Sequence, residues 1–140
     1  MTISRCEAAV IRIAAAIVVD GAGRTLLVRK RGTAAFMQPG GKIGRGEAPI
    51  DALVRELREE LGCTIRGEHR GLGRFRADAA NEAGSIVEAE LFRVDLDGQV
   101  APAAEIAEAR WHDPDDQPEV PLAPLTRDHV LPLVRQWRRG

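Results

Sequence analysis

Between a glycine-rich turn and a Gly-Cys stop lies a segment whose periodicity points to one secondary structure. At about 100° per residue, Ile50, Leu53, Val54, Leu57 and Leu61 fall on one narrow face, the spacing of an amphipathic helix that must bury that face against a core. Pro49 is tolerated only in a first turn, and Gly62 suits a left-handed position after the last, so the helix is expected from about residue 48 to 61. On the same wheel Glu56, Glu59 and Glu60 share one flank, with Glu60 nearest the apolar stripe and Glu59 farthest from it. The acids therefore stand where core meets solvent.

Carboxylates at these spacings repel by roughly 0.2–0.5 kcal/mol per pair, and near a helix C-terminus they also oppose the macrodipole. Something positive must offset this. Arg55 and Arg58 do so if the run is only a solvated helix face; a hard divalent cation, which takes oxygen ligands, does so if it is a site. The preceding loop favours the site. Residues 38–47, Gln-Pro-Gly-Gly-Lys-Ile-Gly-Arg-Gly-Glu, combine four glycines with a proline, a composition that lets backbone approach a ligand closely. Lys42 and Arg45 are candidates to meet phosphate oxygens there. Gly-Lys-Ser/Thr is absent, so this is not a P-loop.

Taken together, the spacing is G-x5-E-x7-R-E-U-x-E-E-x-G-U, with U a bulky apolar residue, and it resembles the box of the Nudix hydrolases, MutT-like members included. Gly41, Glu47, Arg55, Glu56, Leu57, Glu59, Glu60 and Gly62 fill their positions, and Cys63 stands at the last apolar one as a small hydrophobe. The resemblance implies a Mg²⁺-dependent hydrolase, with Mn²⁺ able to substitute, that cleaves a phosphoanhydride bond in a nucleoside diphosphate linked to another moiety. It implies Glu56, Glu59 and Glu60 as metal ligands, with Glu56 as candidate general base and a Gly40 or Gly41 carbonyl also directed to a metal. Arg55 and Glu47 take the positions that orient helix and loop. Arg29, Gly40 and Lys42 are candidate substrate contacts.

Downstream, Glu105 and Glu108 precede Trp111 in a stretch similar to the family's acidic loop leading into a strand that ends in Trp. Glu105 is the candidate for an additional metal ligand or base, ahead of Glu108. Trp111 reads as core, because an indole at a strand end is large enough to anchor packing. His69, His112 and His129 have no ligand spacing among themselves. Phe36 and Met37 read equally as base contacts or as packing beneath the sheet.

The remaining chain fits a single domain over residues 1–140, with 44% hydrophobic and 29% charged residues. Strands are expected over Val10–Val19 and Thr25–Arg31, joined as a hairpin by Asp20-Gly21-Ala22-Gly23. Two more are expected over Thr64–Ala77 and Ile86–Leu96, then a short one near Ala109–His112 and a closing helix over Thr126–Arg138. The order β-β-α-β-β-β-α predicts an α/β fold with a mixed sheet, and the resemblance implies the Nudix-type α/β/α sandwich. A net charge of −1 gives no signature for binding a nucleic acid polymer or an anionic membrane. No run has the length of a membrane span, the first ten residues lack a signal-peptide core, and Cys6 and Cys63 read as free thiols of a cytoplasmic protein, monomer or homodimer.

Substrate is approached by elimination. The proline that goes with ADP-ribose hydrolysis in the family is replaced near Ala79, and the chain has no tyrosine to mark a dinucleoside polyphosphate hydrolase. What remains is a nucleoside triphosphate pyrophosphohydrolase releasing a nucleoside monophosphate and pyrophosphate. The alternatives are an ADP-ribose or nucleotide-sugar pyrophosphatase, or a non-catalytic nucleotide sensor, which usually loses the box glutamates retained here.

Overall fold

The computed structural model describes residues 9–140, so Cys6 lies outside the described residues. Its strands are β1 (Ala9–Ile17), β2 (Thr25–Lys30), β3 (Phe36–Met37), β4 (Gly40–Lys42), β5 (Thr64–Asp78), β6 (Ser85–Asp97) and β7 (Ile106–His112). Its helices are α1 (Pro49–Leu61) and α2 (Leu131–Arg139), the latter entered through a π turn over Thr126–Val130.

Strand β1 organises the layers. Successive side chains of a strand point to opposite faces, and here both faces are covered: Ala14, Ala16 and the following Val18 pack with Leu53, Leu57 and Leu61 of α1. Ala15 and Ile17 pack with Val130 and Val134 at the C-terminal helix. That double burial explains why this stretch is apolar without alternation. Helices therefore lie on the two faces of a four-stranded mixed sheet, order β4-β1-β6-β5, in which β1 runs parallel to β6 and antiparallel to β4. A second, antiparallel sheet has the order β3-β2-β7.

The expected hairpin between the first two strands is corrected. A single bridge, Val19 to Thr25, closes the turn, and Leu26 N–H donates to the Val18 carbonyl at 3.0 Å before the strands part into different sheets. Both edges of β1 are already taken by β4 and β6, which leaves none for β2. A second correction falls on the glycine loop, where Gly40–Lys42 forms the short strand β4; three residues carry no periodicity to read. The closing helix also starts differently, because the Leu131 N–H reaches back to the Thr126 carbonyl, a π rather than an α spacing.

Helix α1 ends as its sequence requires. Gly62 sits at φ 68°, its N–H donates to Arg58 at 3.1 Å, and the Cys63 N–H donates to Leu57 at 3.4 Å. The next carbonyls are claimed from outside: Ala103 N–H donates to Glu60 at 2.9 Å and Ala101 N–H to Leu61 at 3.0 Å. The loop after β6 is thereby tied to the end of the box helix. Cys63 is buried and unpaired. Among the described residues no helix is long and apolar enough to cross a membrane.

Candidate active site

Residues 43–48 are folded back onto α1 by one arginine. Arg55 Nε and Nη2 donate to the two Glu47 carboxylate oxygens at 3.0 and 2.9 Å, Nη2 also donates to the Lys42 carbonyl at 3.1 Å, and Nη1 donates to Glu56 Oε2 at 2.6 Å. Glu47 in turn accepts the Gly44 N–H at 2.8 Å. The Arg55 hydrogen bonds, with the Gly44 amide behind them, hold the Glu47 carboxyl down to a pKa of about 2. The planar fork thus locks β4, its loop and the first acid of the run into one unit.

Each acid then meets a different environment, in the order the helical wheel gives. Glu60 is 4% exposed and its Oε1 has no hydrogen-bond partner. Burial, and next the charge of Glu56, push its carboxyl up to about 7. Glu56 lies against Gly41, where no Cβ fits. Glu59 faces solvent, its side chain 56% exposed and 3.9 Å from Arg55 Nη1.

A cleft of about 650 Å³ gathers Lys30, Gly41, Lys42, Glu56, Glu60 and Glu105. Glu105 reaches it because its loop is pinned on two sides, by Ala103 to α1 and by the Arg31 N–H donating to the Glu105 carbonyl at 2.7 Å. Ala104 between those anchors takes φ 53°, an uncommon value for a side-chain-bearing residue that costs on the order of 1–3 kcal/mol. Lys30 Nζ stands 4.0 Å from the Glu105 carboxylate.

Of the residues singled out from sequence, Glu56, Glu60, Gly41, Lys42 and Glu105 come together in this cleft, and Gly40 lines an adjoining pocket. Glu59 does not line it. Arg29 is not among the residues lining the cleft; its Nη1 donates to the carbonyl of Thr33, which does line it, at 3.0 Å, and its guanidinium lies 3.5 Å from Glu108. A register shift between Arg29 and Lys30 breaks the two-residue alternation and coincides with Lys30, not Arg29, lining the cleft. Glu108 pairs with Arg29 and with Arg110, which holds its carboxyl below the usual range. Trp111 is also corrected, being 37% exposed; alternation on β7 buries His112 instead. Phe36 is buried beneath Arg110, whereas Met37 lines the adjoining pocket.

That adjoining pocket was missed from sequence. It measures about 120 Å³, has apolar walls from Ile11, Ile13, Met37, Val87, Ala123 and Leu125, and shares Lys30, Gly41, Lys42, Asn81 and Glu82 with the acidic cleft. The available signal was parity: Ile11 and Ile13 point the same way as Ala15 and Ile17, on the face that α2 covers farther along.

The donors fit a divalent cation. A buried carboxylate oxygen without a partner, beside a second carboxylate, is a costly arrangement that a hard cation relieves. Glu56 and Glu60 are the groups placed to hold it; among the described residues no three His, Cys, Asp or Glu side chains converge tightly enough to chelate an ion by themselves. Further ligands would come from backbone, water or phosphate oxygens.

The NUDIX domain model matches residues 10–134. A protein named oxidized purine nucleoside triphosphate hydrolase, from Danio rerio, is 32% identical over 129 residues, covering 88% of this chain and 79% of that one. The Nudix hydrolase YvcI of Bacillus subtilis (strain 168) is 31% identical over 115 residues, covering 79% and 71%. The crystal structure of a MutT NUDIX hydrolase from Burkholderia pseudomallei superposes with a TM-score of 0.71 at 22% identity, covering 91% of this chain and 96% of that one, a likeness of fold.

Proposed function

The chain belongs to the Nudix family of hydrolases, and we propose that it is a Mg²⁺-dependent nucleoside triphosphate pyrophosphohydrolase, releasing a nucleoside monophosphate and pyrophosphate. The observation that carries this reading is the junction of the two cavities. An apolar pocket suited to a flat heteroaromatic base opens, across Lys30, Gly41 and Lys42, into a cleft with two lysines, an arginine and four carboxylates. A nucleotide laid across that junction puts its base in the first and its phosphates in the second, and such mostly apolar pockets with a few placed polar groups are typical small-molecule sites. The similarity to a protein named as a hydrolase of oxidized purine nucleoside triphosphates supports the same substrate class.

Glu56 and Glu60 would hold the ion, with Gly41 supplying backbone and Glu105 facing them from the opposite loop. When bound, Mg²⁺ neutralises phosphate oxygens and lowers the pKa of a coordinated water. Lys30 and Lys42 neutralise further phosphate charge. Glu56 is assigned the proton of the attacking water, and Arg55, by gripping its Oε2, fixes which oxygen remains toward the cleft. Glu105 is the second carboxylate within the cleft able to take that proton. The test is a hydrolysis screen with Mg²⁺ over nucleoside triphosphates, ADP-ribose and nucleotide sugars; turnover confined to the last two would replace the proposed substrate class.

A further inference from the structure

One buried side chain in the apolar pocket is held by a bond that neither metal binding nor hydrolysis requires. Gln38, between β3 and β4, is 5% exposed and lines the pocket. Its carboxamide oxygen accepts the Thr126 hydroxyl at 2.6 Å, a buried contact between residues 88 positions apart. Thr126 is itself fully buried at the start of the π turn, a local widening that is frequent at functional sites. A carboxamide has one acceptor and one two-donor end. The oxygen already accepts from Thr126, whereas the amide nitrogen has no hydrogen-bond partner among the described residues and is the end free to donate to an occupant.

We infer that Gln38, oriented by Thr126, makes this pocket selective for nucleobases that present a carbonyl oxygen at the edge they insert, the 6-keto purines and 4-keto pyrimidines, over their amino counterparts. This rests on the nucleotide reading given above. The reason is a donor count. A keto oxygen accepts from the Gln38 amide, while an exocyclic amino group meets it donor to donor and leaves both unpaired at a side chain that is itself buried. Leaving such a group unsatisfied weakens binding by roughly 10- to 100-fold, and sites built around a hydrogen bond discriminate strongly against ligands lacking the partner. The ring N–H beside a keto group in a lactam is a donor, and Asp78, also lining the pocket, is an acceptor for it. An amino base inverts both positions.

Thr126 is a positioning residue here, since it reaches the base only through Gln38. Its removal frees the amide to turn over, so discrimination should collapse while the phosphate end of the site is untouched.

The test is the affinity of inosine and adenosine monophosphates, which differ in the 6 substituent and in the proton on the adjacent ring nitrogen, and of uridine and cytidine monophosphates, measured by titration calorimetry on the full chain. Wild type should bind the keto member of each pair at least about 10-fold more tightly. Thr126→Val should reduce that ratio toward one, and Thr126→Ser, which retains the hydroxyl, should restore it. Gln38→Glu, which keeps an acceptor for Thr126 and removes the donors, should reduce or reverse it. Equal affinities in wild type, tighter binding of the amino members, or no binding of any of the four would overturn the inference whether or not a variant folds poorly. A keto preference without triphosphate hydrolysis would instead leave this inference standing and remove the proposed reaction.

Discussion

Gly41 lies flat against the Glu56 carboxyl group, so close that a Cβ at residue 41 would overlap the carboxyl carbon and stand 2.6 Å from Oε1. The neighbouring Gly40 is constrained by something else: a Cβ there would run into the backbone of β1 at Ala14 and Ala15, and its φ is 151°. Two adjacent glycines thus serve two purposes, one for the site and one for the sheet.

Gly41→Ala is therefore expected to push aside the end of a flexible glutamate and leave the fold intact. Its melting temperature should stay within a few degrees of wild type, while kcat falls by roughly 10-fold or more, because a displaced carboxylate no longer meets metal or water where charge develops. Gly40→Ala should lose about 1–3 kcal/mol of stability through overpacking against immobile backbone. Thermal melts and steady-state rates on the two variants separate these outcomes; equal melting losses would mean that residue 41 is a packing position only.

Glu60 sets a pH dependence whose sign is fixed by its raised pKa. Between the ordinary value of 4.5 and about 7, the metal-free folded state keeps a proton that the unfolded state has released. The stability that Glu60 contributes is then full below 4.5 and is lost as pH rises through 7. Melting in chelator should decline over that window in wild type, and Glu60→Gln should remove that component of the slope. Mg²⁺ competes with the same proton, so its affinity should climb across the window and level off above it. A pH-independent Mg²⁺ affinity between 5 and 8 would contradict this placement of Glu60.

Arg55 spans Glu47, Glu56 and the Lys42 carbonyl at once, which a lysine's single ammonium cannot do. Arg55→Lys is expected to reduce kcat by about 10- to 100-fold with a small melting change, and Glu47→Gln by less, since the Gly44 amide contact can persist. The Glu47 carboxyl titrates near 2, so its tie to Arg55 is present above 4.5 and is lost only as pH falls through about 2. Acid inactivation between pH 4 and 6 should accordingly be unchanged by Glu47→Gln.

Much of this was legible in the sequence, and the reasons are specific. Helix α1 could be read because a 3.6-residue stripe, a first-turn proline and a terminal glycine agree, and the graded burial of Glu60, Glu56 and Glu59 follows from the same wheel. Other features carry no local signal. The parting of β1 and β2 into separate sheets is decided by β4 and β6 occupying both edges of β1. Lys30 lines the cleft at a register shift that no periodicity announces, and Trp111 is exposed because β7 keeps His112 inside. The Gln38–Thr126 contact joins residues 88 positions apart and exists only once the chain has closed.

Glu105 is set against Glu108 by position alone. Glu105 lines the cleft, whereas Glu108 is paired with Arg29 and Arg110 outside it. Glu105→Gln should lower kcat at least about 10-fold with little change in KM, the pattern of an interaction made mainly in the transition state. Glu108→Gln should retain near-wild-type kcat. A larger loss at Glu108, at saturating Mg²⁺, would assign the acidic loop's role to the other residue.

The most direct measurement is to incubate the protein with inosine and guanosine triphosphates in Mg²⁺ and in chelator, and to resolve the products by anion exchange. The expected result is nucleoside monophosphate and pyrophosphate in equal amounts with Mg²⁺, nothing above background in chelator, and a loss of at least about 100-fold in Glu60→Gln that melts no lower than wild type. Release of nucleoside diphosphate and inorganic phosphate, undiminished turnover in chelator, or full activity in Glu60→Gln would contradict a metal-assisted pyrophosphohydrolase centred on this cleft.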